Sequence, residues 1–271
     1  MYEEPYRWVE AIGNRRHYLD EQFKQGSPVV ALSYADGILL LTVSRGTPKL
    51  YEIYDRIGLG GMGHPADLEK LRFTLLELAH TEGFNRSPSD VSGSRLVKYG
   101  LAPVIKQAFE EVFKAPFIVK ILLAELRGKP ERDTFLTINY DGAFEETTGC
   151  AILAATPAVQ SRIAEYAKRE AERSSLSLTQ ALDVALRAWA MGSLAHAAGD
   201  ADDSGESEKT DGRPFREPET AALYAHLHDT LAGRIIECAT LERNAPGSSK
   251  YRALRPDELT TLLPTSLTQS A

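Results

Sequence analysis

Cysteine is scarce: Cys150 and Cys238 are the two in 271 residues, far apart in the chain and not part of any CxxC pair. That excludes a disulfide framework and a cysteine-rich zinc site, and it points to a reducing compartment. Positive charge is in deficit. Lys and Arg number 31 against 38 Asp and Glu, a net charge of −7, so no chain-wide basic footprint exists and no nucleic-acid partner is expected. Long apolar runs are missing too. The run Ile38-Leu39-Leu40-Leu41 is too short to span a bilayer, and the acidic opening Met1-Tyr2-Glu3-Glu4-Pro5 lacks the apolar stretch of a signal peptide. A cytoplasmic protein without membrane contact is expected. There is no GxxxxGK[ST] loop for a nucleotide triphosphate and no GxSxG nucleophile turn.

What is present is ordinary globular material, 43% hydrophobic and 25% charged, enough for one large domain or two small ones. Leu19 and Phe23 lie four apart, which predicts a helix over 15–25 with Gly26 to stop it. Residues 28–34 and 38–43 flank Ala35-Asp36-Gly37, a hairpin whose almost wholly apolar arms predict burial on both faces. Further strands are predicted at 50–54, 56–59, 117–126, 134–140, 150–155, 235–241 and 251–254. Leu68, Leu71, Leu75 and Leu78 mark one helix behind Pro65. A second runs from Val97 to Val112, with Pro103 expected to kink it. Thr156-Pro157 opens a third, and Ser177 with Gln180 forms a capping box for a fourth. A helix over 222–231 and a short one from Pro256 follow.

Helices thus come in pairs between runs of strands. A doubly wound parallel sheet does not have that order. The expected fold is α+β, a four-layer αββα sandwich of two stacked antiparallel sheets flanked by helix pairs. The segment 200–217 holds seven acidic and three basic residues among Gly, Ser and Pro, and a disordered acidic insertion is expected over about 196–218, with a flexible tail at 264–271.

Several side chains invite a chemical reading. Gly58, Gly60 and Gly63 match the spacing of a dinucleotide fingerprint, but a hairpin precedes them where a crossover should follow, so tight packing is the competing explanation. His226 and His228 are two apart and point to different faces of a helix, so no metal site is expected. Cys150 lies in an apolar strand and reads as core. Lys49 opens a strand after a short loop, where it is either a solvated charge or a holder of a carboxylate.

Taken together, the segments carry a resemblance. Gly26-Ser27-Pro28 with its hairpin through Leu40 is similar to the opening of proteasome subunits. Lys49 through Gly58, Gly63 through Asp67, Thr137 through Gly142, and the ending around 235–241, 251–254 and Glu258-Leu259 resemble later segments of that family in order and spacing. The match covers about 15–192 and 233–263 and is closest to the bacterial, actinobacterial-like α type. It implies the N-terminal-nucleophile hydrolase sandwich as a single domain over 17–263. It also implies a gate segment at 1–16, seven-membered rings of the chain with itself, β-type partners, a ring-shaped ATPase activator, and unfolded or tagged proteins as substrates.

In catalytic relatives the nucleophile is an N-terminal threonine, tuned by an aspartate and a lysine. Here that position reads Ser27 followed by Pro28, and the aspartate position reads Val43 between Thr42 and Ser44; Lys49 alone matches. The resemblance therefore implies a non-catalytic α subunit, with no cofactor and no carboxylate left to orient the lysine. A self-processing hydrolase using Ser27 after cleavage at Gly26 is the alternative, and a small-molecule binder at the glycine-rich turn is a third. Tyr18 matches a tyrosine of the α-type ring helix and Gly26 the glycine that ends it. Lys49 matches the lysine of the pocket that receives an activator's C-terminal carboxylate. Asp20 stands where archaeal α helices commonly carry a basic residue, and the usual YDR-type gate signature is absent.

Overall fold

The computed structural model describes residues 4–111, 113–172, 175–202 and 218–268. The first hairpin sets the layers. In β1 (Val29–Tyr34) and β2 (Gly37–Ser44), Val30, Leu32, Leu39 and Leu41 face one core, while Val29, Ala31, Ile38 and Leu40 face another. Successive strand side chains point to opposite faces, so a hairpin apolar on both must lie between two cores.

One sheet has the order β10-β9-β2-β1-β8, adding β8 (Cys150–Leu153), β9 (Ile235–Glu242) and β10 (Tyr251–Ala253). The other has the order β3-β4-β5-β6-β7, from β3 (Leu50–Tyr54), β4 (Ile57–Gly63), β5 (Val119–Glu125), β6 (Thr134–Ile138) and β7 (Phe144–Thr148). The pairings in both sheets are antiparallel. The inter-sheet core includes Leu40, Met62, Leu122 and Phe135. Outside the first sheet lie α5 (Pro157–Glu172), α6 (Leu178–Asp202), α7 (Thr220–Leu231) and α8 (Pro256–Leu262), packed around the buried Trp189. Outside the second lie α2 (Pro65–Asn85), the single turn α3 (Gly93–Arg95), a π-helical stretch Leu96–Leu101 and α4 (Ala102–Glu110). The expected four-layer αββα sandwich is what forms.

Local signals are borne out in detail. The Ser177 amide donates to Gln180 Oε1 at 2.9 Å and the Gln180 amide to Ser177 Oγ at 3.3 Å, a closed capping box. Pro103 distorts its helix as expected, in the form of the π stretch: the Ala102 amide reaches back five residues to Val97 O. Val112 lies outside the described residues.

Other expectations need correction. The helix read over 15–25 is α1 (Glu4–Phe23), so most of the segment assigned to a gate at 1–16 is helical. The glycine-rich stretch is not a loop between strand and helix. It is β4, a buried central strand, because a Cβ at Gly60 would sit 2.6 Å from Val29 and one at Gly61 2.3 Å from Leu68. The strand β7 went unread; its exposed, polar sequence Phe-Glu-Glu-Thr-Thr carries little apolar signal. The backbone stays helical through Asp202, so the first part of the insertion drawn at 196–218 continues α6; the remainder, 203–217, lies outside the described residues. The expected tail contains a further turn, α9 (Thr265–Thr268), with Leu267 against the core. Among the described residues no helix is long and apolar enough to cross a membrane.

Candidate functional site

One end of the sandwich gathers the residues singled out from the sequence. The register Val29↔Thr42 puts the start of β1 beside the end of β2, with the start of β9 next to them. Gly26, Ser27 and the 45–49 loop therefore meet at this end, and α1 lies across it. Leu19 and Phe23 of α1 are fully buried in the inter-sheet core, where Phe23 stacks on Tyr140 at 5.8 Å. The Tyr140 hydroxyl donates to Asp20 Oδ1 at 2.8 Å, and burial together with this bond raises the phenol's pKa. Asp20 thus ties the helix down.

Arg15 adds a second tie. Its guanidinium donates to Ala108 O at 3.2 Å, Phe109 O at 3.2 Å, Glu111 O at 2.9 Å and also Lys114 O. A helix C-terminus leaves carbonyls unpaired and partly negative, and a guanidinium fork satisfies both needs at the end of α4.

Gly26 follows the helix. Its amide donates to Phe23 O at 2.9 Å, and a Cβ there would lie 2.2 Å from Met62 Cε, so β4 packs closely against it. Tyr18 is exposed on α1, 48% accessible. Ser27 comes next in a continuous chain. Its hydroxyl accepts from the Trp189 indole at 2.9 Å and lies 3.5 Å from Thr42 Oγ1, whose own proton goes to Pro28 O at 2.7 Å. Val43, expected from the resemblance at the position of the tuning aspartate, is buried in the outer core.

Lys49 sits where the chain passes from one sheet to the other. Its amide donates to Glu237 Oε2 on β9 at 2.8 Å, and its carbonyl accepts from the Gly61 amide on β4 at 2.9 Å. The backbone is therefore pinned on both sides. Gly46, at φ +109°, makes the turn that brings it there. A carboxylate does stand beside the Lys49 backbone: Glu237 arrives from a strand 188 residues away to hold its amide. Such a partner is invisible in the local sequence. Even so, among the described residues no carboxylate lies within 4 Å of the ammonium. Burial lowers the Lys49 pKa, opposed by Glu237 and reinforced by Arg234 and Arg45. The Glu237 Oε1 atom is buried without a hydrogen-bond partner.

Sequence reading missed Lys120 on β5, which is 4% exposed beneath α1. Its ammonium donates to Ala154 O at 2.9 Å and Ala155 O at 2.7 Å and lies 4.8 Å from the Phe23 ring centroid. Burial pushes its pKa down to about 8, with Asp20 and Asp141 acting the other way. The signal was a lone charge at the start of an apolar strand.

The remaining candidates do not join this end. His226 Nε2 lies 3.0 Å from Ser193 Oγ, and His228 is on the exposed side near Asp229. Cys150 and Cys238 are both buried, and burial raises the Cys238 thiol pKa. Among the described residues no three His, Cys, Asp or Glu side chains cluster as metal ligands.

A family model described as proteasome subunit matches residues 23–200. The chain is 30% identical over 256 residues to a proteasome subunit alpha of Actinosynnema mirum, spanning 94% of this chain and 84% of that one. Proteins of the same description from Salinispora tropica and Gordonia bronchialis are each 32% identical, covering 77% and 89% of this chain and 81% and 82% of theirs.

Proposed function

The chain belongs to the proteasome subunit family and is of the α type, a component of protein-degrading assemblies; from that premise we propose that it is a non-catalytic ring subunit. In this reading seven copies form an outer ring on a ring of β-type subunits, admit unfolded or tagged proteins, and dock a ring-shaped ATPase.

The observation that carries the reading is α1. It closes the end of the sandwich where a catalytic relative would need an open cleft and a free N-terminal amine. Ser27 instead follows α1 in an unbroken chain, and its hydroxyl is held by Trp189 and Thr42. A hydroxyl that accepts an indole proton and has no base beside it is a poor nucleophile.

Lys49 supplies the docking chemistry. Its backbone is pinned at the seam between the sheets, and its half-buried ammonium has no carboxylate in ion-pair contact among the described residues. An activator's C-terminal carboxylate would restore the charge balance that burial disturbs, with Gly26 in the same wall and the neighbouring copy as the second wall. The buried Glu237 gives the pocket a negative inner side that holds the loop and sets how far a carboxylate enters.

Co-expression with a β-type partner followed by native mass spectrometry tests the ring. A seven-membered α ring stacked on β is expected; a strictly monomeric chain that ignores β overturns it. Lys49→Ala is expected to abolish stimulation by the ATPase with the rings intact, and unchanged stimulation rejects the pocket.

A further inference from the structure

The opposite end of the sandwich carries a concentration of cations that the ring reading does not use. Here the turns of the two sheets meet: residues 35–36, 55–56, 126–133 and 243–250. A cavity of about 340 Å³ opens between them, lined by Arg56, Arg127, Arg243 and Lys250 together with Ser89 and Gly128. Its lining contains no carboxylate.

Two carboxylates stand behind it, both at 0% exposure: Glu125 and Asp133. Arg243 holds Asp133 with both ends of its fork, at 2.8 and 3.2 Å. Arg56 lies 3.4 Å from Glu125 Oε1, and Arg127 donates to Glu125 Oε2 at 3.1 Å. Lys250 has no carboxylate partner among the described residues; its ammonium caps Ala245 O and Gly247 O. Asp36 and Asp55, at the neighbouring turns, enter through backbone carbonyls that accept from the Arg243 and Lys250 amides.

Stapling the turns accounts for part of this arrangement but leaves a remainder. Among the lining side chains and the groups they pair with, four cations face two carboxylates. The Arg243 Nε is buried with no hydrogen-bond partner. The Arg127 guanidinium, with five N–H donors, places one on Glu125. A buried donor left unpaired costs free energy unless a ligand or water meets it. Converging guanidinium donors with surplus charge match a tetrahedral oxyanion, which accepts several N–H bonds at once.

We propose that this cavity is a binding site for a phosphate-type dianion, held by Arg127, Arg243, Arg56 and Lys250. Such an ion would bridge the turns of both sheets and neutralise their excess charge. Its source is either free inorganic phosphate or a phosphoryl group carried on a protein.

The experiment uses the full chain. Calorimetric titration with inorganic phosphate is run at constant ionic strength against chloride, with melting measured in both. Phosphate is expected to bind and to raise the melting temperature above that in chloride. Lys250→Gln removes a cation that pairs with no buried carboxylate. It loses the caps on Ala245 O and Gly247 O, so its melting in chloride is the baseline for that variant, and it should bind phosphate roughly tenfold more weakly, the loss of one charge-assisted hydrogen bond. Arg127→Gln provides an independent check with the same expectation for binding. A phosphoserine peptide and its unmodified form separate the sources. Tighter binding of the phosphopeptide than of phosphate assigns the site to a modified protein, and binding of phosphate alone assigns it to the free ion. If phosphate behaves as chloride does and neither peptide binds, or if both variants bind as wild type does, the proposal is overturned.

Discussion

A buried lysine needs a reason, and Lys120 has several. Two carbonyls beyond the end of β8 accept its protons, and an aromatic face lies over it. Burial still holds its pKa near 8, below the ordinary 10.5. Between those values the unfolded chain binds a proton that the native chain has released, so stability rises with pH there, by at most about 1.4 kcal/mol per pH unit. Below about pH 8 both states are protonated, and this contribution no longer varies with pH. Denaturant unfolding of wild type and Lys120→Met at pH 7.5, 8.5 and 9.5 measures the difference. Wild type should gain on the variant as pH rises; a constant gap would reject the buried-cation account. The glycines of β4 follow the same logic of space: Gly60 and Gly61 are small because Val29 and Leu68 occupy the room a side chain would take.

At the scale of elements, α1 is the piece that decides what this end of the sandwich can do. Its C-terminal half is anchored by Leu19 and Phe23 in the inter-sheet core, by Asp20 on Tyr140 and by Arg15 at the end of α4. Trp8 and Val9, in its N-terminal half, are exposed. Arg15→Ala removes the fork that caps α4. We expect a loss of about 1–2 kcal/mol, the range for charge-assisted bonds to partly exposed carbonyls. Amide hydrogen exchange near the end of α4 should accelerate. Arg16→Ala is the control: its guanidinium is 3.9 Å from Asp141 at a largely exposed position, so the change should fall within about 0.5 kcal/mol. Equal effects from the two variants would show that the cap contributes nothing specific.

For the whole molecule, the two ends differ in what they expose. One end is covered by α1 and presents Lys49; the other gathers the turns and their arginines. The net charge of −7 is unevenly placed, since 200–217 alone holds seven acidic and three basic residues. A non-catalytic subunit keeps its N-terminal segment. Intact mass of the purified protein, alone and after co-expression with a β-type partner, should therefore correspond to a chain retaining residues 1–26. A species beginning at Ser27 would revive the self-processing reading and count against α1 as a permanent cover.

The sequence by itself determined the layering. A hairpin apolar on both faces, helices in consecutive pairs and closed capping signals are local patterns, and each reports burial or chain direction without reference to distant residues. It also carried the resemblance by which Ser27 and Val43 are expected to stand where a catalytic relative has its nucleophile and aspartate. Tertiary structure decided what surrounds them. Glu237 reaches Lys49 across 188 residues, Asp20 finds Tyr140 across 120, and Trp189 meets Ser27 across 162. The glycines of β4 left a turn and tight packing both open, and the side chains of Val29 and Leu68, brought near only by folding, account for the packing. Hydrogen bonds and close contacts between segments depend on how the layers stack, and no local pattern encodes a partner that only folding brings near.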